Sequence, residues 1–222
     1  MLASANKLKA VGADFLVCPD NTIHQALPHV VRRSPLRWLH IAEEVAGVAL
    51  ARGFKLLAIT GTRWLVDSKV YPDALTAQGL AYMRPTPEER DEINRIIMDE
   101  LVCSVFKAEA VAYIQRVFAR IKDAGCDAVV LGCTEIPLIM NDANSPLPTL
   151  DSTRLLARAA LRQAVAASPR IFAFPAHARL SLVGRRPHLF RIWPSWGRER
   201  RSAPPCRMTR LRGLRRQWIR LV

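Results

Sequence analysis

The stretch Asp127-Ala-Val-Val-Leu-Gly-Cys-Thr-Glu-Ile-Pro-Leu-Ile139 decides the fold class of this chain. Residues 128–131 form a short apolar run, typical of a strand buried on both faces of a parallel sheet. Gly132 ends the run, and Cys133 follows where a helix could begin, with Pro137 tolerated in its first turn. Ligands of open α/β sheets bind outside the carboxyl ends of the strands, so this thiol is placed for chemistry. We expect the N–H groups of the helix start to lower its pKa.

A second stretch of the chain has the same build. Gly12-Ala-Asp-Phe-Leu-Val-Cys-Pro-Asp-Asn-Thr22 aligns without gaps on the stretch around Cys133: Gly12 pairs with Gly125, and Asp20 pairs with Cys133. Both stretches predict a strand followed by a loop of matched design. The match indicates a duplicated α/β unit with a site between the two halves.

Composition places the basic residues at one end of the chain. The 222 residues, half of them apolar, suffice for one large or two small domains. Residues 166–222 contain fourteen Arg and a single acid, so they carry all but one of the fourteen net positive charges. The remainder of the chain is therefore nearly neutral, and the basic character belongs to the C-terminal segment.

The cysteines and apolar runs indicate the compartment. Five cysteines occur without CxxC or zinc spacing, and the first residues do not read as a signal peptide. An odd number of cysteines then predicts reduced thiols and a cytoplasmic protein. Because no apolar run approaches the roughly 20 residues of a membrane span, no membrane is expected as a partner.

Alternating strand and helix patterns predict a parallel, doubly wound α/β sheet. Strands are expected at residues 15–18, 37–41, 54–60, 128–131 and 146–150, helices at 3–11, 20–29, 43–52, 86–101, 108–124 and 151–167, and an irregular connection at 71–79.

The predicted elements divide into two flavodoxin-like halves. Residues 1–53, together with the closing helix 151–167, form an incomplete first half, and residues 54–150 form the second. The first βα units should precede Gly12, but only eleven residues do. A missing strand would leave a sheet edge exposed, which favours a homodimer.

The segment after residue 167 is expected to be a disordered, Arg-rich extension. Arg is dense, Lys is absent, and Pro and Trp are scattered without helical or strand periodicity. An alternative function is a basic arm for nucleic acid, with Trp193, Trp196 and Trp218 available for stacking. The abrupt change in composition favours the extension, so we expect no nucleic-acid partner.

Five motifs resemble the aspartate/glutamate racemase family over roughly residues 8–165. They are Cys-Pro-Asp-Asn-Thr-Ile-His24, Gly61-Thr62, Tyr71-Pro-Asp-Ala-Leu75, Gly132-Cys-Thr-Glu-Ile-Pro137 and Leu147-Pro-Thr-Leu-Asp-Ser-Thr153. The resemblance implies two pseudo-symmetric α/β halves and no pyridoxal phosphate, metal or other cofactor. It also implies two cysteines that face each other across the substrate α-carbon, one removing a proton and the other returning it.

The resemblance assigns roles to particular residues. Cys133 matches the second catalytic cysteine, whereas Asp20 stands at the position of the first, a departure from the family pattern. An aspartate could act as acid or base, although an ordinary carboxylate is a weak base and Asp20 could equally cap a helix. Cys18, two residues upstream, is interpreted as a packing residue that could replace the missing thiol. Residues implied in substrate binding are Asn21, Thr22, Thr62 and Thr134, although capping would also explain most of them.

Three functions remain open from the sequence. We expect a cofactor-independent racemase of acidic amino acids or related carboxylates, catalysed by Cys133 and Asp20. A decarboxylase or cis–trans isomerase of the same superfamily would need only one cysteine. A catalytically silent ligand-binding protein would also explain the change at Asp20.

Overall fold

The computed structural model describes residues 1–167, and the predicted extension 168–222 lies outside the described residues. The fold is α/β with two parallel sheets, as predicted. One pairs β1 with β2, and the other has the order β4-β3-β5-β6. The strands are β1 (Phe15–Leu16), β2 (Arg37–Trp38), β3 (Leu56–Thr60), β4 (Ala81–Met83), β5 (Ala128–Leu131) and β6 (Thr149–Asp151). The α-helices are α1 (Leu2–Ala10), α2 (Leu27–Val30), α3 (Ile41–Ala51), α4 (Arg63–Val66), α5 (Val70–Thr76), α6 (Pro87–Arg95), α7 (Ala108–Asp123) and α8 (Ser152–Ala167).

Helices cover both faces of the four-stranded sheet. On one face, α6 and α7 pack their apolar sides against the sheet, together with a π-helical continuation of α6 over Ile96–Leu101. On the other face lie α3, α4 and α5. All four residues of β5 are buried, as expected for a central parallel strand.

The start of α6 follows its sequence signal closely. The Thr86 hydroxyl accepts a hydrogen bond from the Glu89 N–H, and the Glu89 carboxylate accepts one from the Thr86 N–H. This capping box, with Pro87 in the first turn, satisfies N–H groups that would otherwise lack partners.

The irregular connection predicted at residues 71–79 is wrong. Val70–Thr76 is the helix α5, and Ala81–Met83 is the strand β4 paired with β3. Pro72 does not prevent the helix, because the first-turn N–H groups of a helix have no intrahelical acceptor. The strand has only three residues, so it escapes a search for longer alternating patterns.

Glycines with a positive φ follow both α1 and α7. Gly12, after α1, has a φ of +91°, and Gly125, after α7, has a φ of +95°. The helix α8 packs on α3 and on Leu39 beside β2. Among residues 1–167, no helix is both long enough and apolar enough to cross a membrane.

Candidate functional site

The carboxyl ends of β3 and β5 lie in close contact, and this contact shapes the candidate site. The Gly132 N–H donates to the Thr60 carbonyl at 2.9 Å. A β-carbon on Gly132 would lie 2.5 Å from that same carbonyl oxygen, and one on Gly61 would lie 2.9 Å from the Gly132 oxygen. Glycine at both positions therefore lets the two strand-end loops meet, with Thr62 following one and Cys133 the other.

Cys133 is a buried thiol hydrogen-bonded to a carboxylate. Its side chain lies at the end of β5, and Sγ donates to Oε2 of Glu135 at 2.8 Å. Burial, followed by this hydrogen bond to Glu135, raises the pKa of the Cys133 thiol to about 12. The thiol is therefore protonated at neutral pH.

The expectation of a lowered thiol pKa is thus wrong for this structure. Only a 3₁₀ turn, Ile136–Leu138, forms after Cys133, in place of an α-helix. The Glu135 and Ile136 N–H groups do act to lower the pKa, but burial and the Glu135 carboxylate outweigh them. A single turn supplies too few aligned N–H groups to offset desolvation.

Asp20 lies exposed at the end of the matching loop after β1. Its Oδ1 accepts a hydrogen bond from the Ile23 N–H at 3.0 Å, which is the capping geometry that the sequence allowed. Oδ2 has no hydrogen-bond partner within residues 1–167. Cys18, upstream of Asp20, is half-buried, and burial raises the pKa of its thiol.

His24 fastens this loop to the start of α3. Its Nε2 accepts from the Ile41 N–H at 3.2 Å, so the proton must be on Nδ1, which donates to the Asp20 carbonyl at 2.8 Å. Burial, opposed by the Asp20 carbonyl, lowers the pKa of His24 to about 4. The ring is therefore neutral and structural at neutral pH.

Asn21 joins the loop after β1 to the far side of the site. Its Oδ1 accepts from the Tyr71 hydroxyl at 2.6 Å, and its Nδ2 donates to Oγ of Ser152 at 3.0 Å. The Ser152 hydroxyl in turn donates to the Leu131 carbonyl, the last of β5, at 2.8 Å. Asn21, Tyr71 and Ser152 are all buried. Asp20 and Cys133 are thereby placed on loops that are joined by one chain of hydrogen bonds.

The three threonines predicted to bind substrate differ in their exposure. Thr134 is exposed, whereas Thr22 and Thr62 are half-buried. Thr62 precedes α4 without forming a side-chain cap, so its hydroxyl is available to a ligand. Substrate binding by these residues stays a prediction.

Sequence reasoning assigned no role to Tyr71 and missed Ser152. Both belong to motifs that carry the family resemblance, Tyr71-Pro-Asp-Ala-Leu75 and Leu147–Thr153, and that was the available signal. Both bind Asn21, which lies 50 residues from Tyr71 and 131 residues from Ser152 along the sequence, so local patterns could not reveal the contacts.

Comparison with known proteins gives one consistent family. The sequence model of the Asp/Glu/Hydantoin racemase family matches residues 1–160. The broad specificity amino-acid racemase RacX of Bacillus subtilis (strain 168) is 21% identical over 161 residues, which cover 71% of this chain and 68% of that protein. A glutamate racemase of Koribacter versatilis (strain Ellin345) is 28% identical over 175 residues, which cover 76% of this chain and only 59% of that protein.

A solved structure shares the fold. An aspartate racemase homologue from Pyrococcus horikoshii OT3 superposes with a TM-score of 0.68 and is 28% identical. The match covers 74% of this chain and 72% of that one. The parallel α/β architecture is therefore shared with a solved relative.

Proposed function

Because the chain belongs to the Asp/Glu/Hydantoin racemase family, we propose that it is a cofactor-independent amino-acid racemase. The substrates are acidic amino acids or related carboxylates. The observation that carries the proposal is the buried Cys133 thiol, hydrogen-bonded to Glu135 at the carboxyl end of the central strand β5. A thiol in that position faces the place where ligands of parallel α/β sheets bind.

The protonation states define the first half of the reaction. Asp20, an exposed carboxylate, takes the α-proton from one face of the substrate carbon. Cys133, protonated because of its raised pKa, gives its proton to the opposite face of the carbanion. The product has inverted configuration, and the enzyme is left with protonated Asp20 and a Cys133 thiolate.

The reverse direction starts from the opposite protonation state. The Cys133 thiolate removes the α-proton, and protonated Asp20 gives its proton to the opposite face of the carbanion. The re-formed thiol again donates its hydrogen bond to Glu135 at 2.8 Å. Backbone N–H groups near Thr62 and Thr134, with their hydroxyls, hold the substrate carboxylate. Asn21 and Thr22 complete the site that binds the substrate carboxylate, and Asn21 also holds that site in place.

The proposal is tested by exchange of the substrate α-proton in heavy water. Proton NMR of both enantiomers of aspartate and glutamate should show exchange with the wild-type protein. Cys133→Ala should abolish inversion, because inversion needs both faces of the carbon, and should leave only slow exchange with retention for the enantiomer that Asp20 serves. Cys126→Ala is the matched control, since Cys126 is also buried but lies at the opposite end of β5. Asp20→Ala should leave slow exchange with retention for the enantiomer that Cys133 serves.

Three outcomes would count against these assignments. Absence of exchange with every substrate would contradict racemase activity. Full racemase activity in Cys133→Ala would remove Cys133 from the mechanism. Full racemase activity in Asp20→Ala would move the second role to Cys18.

A one-base reaction is the second candidate. The site has one thiol at a strand end and a carboxylate where the other thiol is expected, and the thiol is protonated at rest. Such a group suits one-sided protonation of a carbanion, as in a decarboxylase or a cis–trans isomerase. Decarboxylation of a substituted malonate, without any α-proton exchange of amino acids, would favour this candidate.

A further inference from the structure

We propose that Tyr71 and Ser152 are positioning residues that act through Asn21 to hold the Asp20 loop against the end of β5. Together with the Leu131 carbonyl they form a buried hydrogen-bond chain. The effect of this hydrogen-bond chain on catalysis rests on the proposed function, whereas the presence of the hydrogen-bond chain can be tested without turnover.

The direction of every hydrogen bond in this chain follows from its last member. The Leu131 carbonyl can only accept, so the single proton of the Ser152 hydroxyl is donated to it. Ser152 must then accept from the Asn21 amide nitrogen, which turns Oδ1 of Asn21 towards Tyr71. Tyr71 is left as the donor, and no alternative orientation satisfies all four groups.

Burial makes this orientation costly to change. Asn21 is 4% exposed, and Tyr71 and Ser152 are fully buried. Burial raises the pKa of the Tyr71 phenol far above its usual value, although the nearby Ser152 hydroxyl opposes the shift, so Tyr71 remains a donor throughout the working pH range. A buried polar group left without a partner costs about 1–3 kcal/mol.

The hydrogen-bond chain connects two segments that lie next to the proposed catalytic residues. Asn21 directly follows Asp20, and Leu131 precedes Cys133 by two residues. Fixing Asn21 to Ser152, and Ser152 to Leu131, therefore sets the separation of the two groups proposed to work on opposite faces of the substrate carbon. The Asn21 amide is hydrogen-bonded on both sides, to Tyr71 and to Ser152, and so positions the Asp20 loop in addition to its proposed contact with the substrate.

The first test follows the alkylation of Cys133. Ser152→Ala and Tyr71→Phe should let water reach the end of β5, which lowers the pKa of the Cys133 thiol because burial is its main cause. Iodoacetamide labelling at pH 8.5 should accelerate by up to roughly tenfold for each unit by which the pKa falls. The tryptic peptide of residues 123–154 also carries Cys126, so fragmentation in the mass spectrometer must separate the two sites.

Matched controls separate positioning from general loosening. Ser68→Ala removes a buried hydroxyl that donates to the Leu65 carbonyl at 2.6 Å but lies outside the chain. Tyr82→Phe removes a tyrosine hydroxyl near the surface. Both controls should leave the labelling of Cys133 unchanged. Equal acceleration in the controls and in Tyr71→Phe would overturn the proposal.

Deuterium exchange of backbone amides is the second test. Tyr71→Phe keeps the ring and its volume, and should increase exchange in residues 131–136, although Tyr71 has no hydrogen bond to that loop. The double variant Tyr71→Phe with Asn21→Ala should exchange there no faster than Asn21→Ala alone, because the chain is already broken. Unchanged amide exchange at residues 131–136 in both Tyr71→Phe and Ser152→Ala would refute the proposed hydrogen-bond chain. Fully additive effects of Tyr71→Phe and Asn21→Ala in the double variant would also refute it. A wild-type protein without racemase activity would refute the proposed function only.

Discussion

Gly61 and Gly132 touch across the ends of β3 and β5 so closely that neither has room for a side chain. A β-carbon on Gly61 would lie 2.9 Å from the Gly132 carbonyl oxygen, and the φ of Gly61, +151°, is also unfavourable for other residues. The same contact brings Thr62 and Cys133 to one edge of the sheet. The glycines are therefore part of the site as well as the fold.

Alanine at position 132 should destabilise the protein. Its β-carbon would lie 2.5 Å from both the Thr60 carbonyl oxygen and a Leu65 methyl group, and the strand backbone has little freedom to move. We expect Gly132→Ala to lower the free energy of unfolding by about 1–3 kcal/mol. The matched control is Gly47→Ala, in the exposed interior of α3 with open space around it, which should raise it by about 0.5–1 kcal/mol. Urea denaturation would measure both changes in the free energy of unfolding. A change of the same sign in the two variants would contradict the close contact at Gly132.

Removing the Glu135 charge should make Cys133 more reactive. The hydrogen bond and the charge of Glu135 both raise the pKa of this thiol, so Glu135→Gln should lower it. Burial, the largest cause, persists, and the pKa should therefore stay above the ordinary value. The pH profile of Cys133 alkylation should shift to lower pH, whereas Glu109→Gln, exposed at the start of α7, should leave it in place. An upward shift in Glu135→Gln would disprove the interaction.

Mild acid should destabilise the protein through His24. The pKa of His24 is lowered from 6.5 to about 4, so below pH 6.5 the unfolded chain binds a proton that the folded chain excludes. Stability is complete above pH 6.5 and falls as the pH drops towards 4. Between pH 7.5 and 5 this group should cost about 2 kcal/mol.

The comparison of two histidine variants isolates this effect. His24→Gln should be less stable at pH 7.5 but should depend less on pH, although His40, whose pKa burial also lowers, retains part of the slope. His29→Gln, at an exposed position, should keep the full slope. Urea denaturation at five pH values suffices, and an unchanged slope in His24→Gln would refute the buried neutral imidazole.

Restoring a thiol at position 20 should balance the two directions of the reaction. A carboxylate and a thiol differ by several units in ordinary pKa, so the wild type should exchange the α-protons of two enantiomers at unequal rates. Asp20→Cys should bring the two initial rates closer together in heavy water. Cys18→Ala provides the comparison for the neighbouring thiol and should change neither rate. A larger inequality in Asp20→Cys would argue against paired bases on opposite faces.

Local patterns predicted most of the elements because their signals are local. The capping box at Thr86, the apolar face of α7 and the buried run of β5 each depend on neighbours within a few residues. The family resemblance rests on short motifs of the same kind. The strand β4 was missed because three residues carry too little pattern, and its pairing with β3 supplies what its sequence does not.

The sequence by itself determined the α/β class, the parallel order implied by alternating elements, and the positions of Cys133 and Asp20 at two strand ends. Only the tertiary structure decided the chemical state of those positions. Burial and Glu135 keep the Cys133 thiol protonated, against the lowered pKa that its strand-end position suggested. Tyr71 and Ser152 meet Asn21 across 50 and 131 residues of chain. Desolvation and hydrogen bonding depend on which atoms surround a group in space, and folding brings those atoms from distant parts of the sequence.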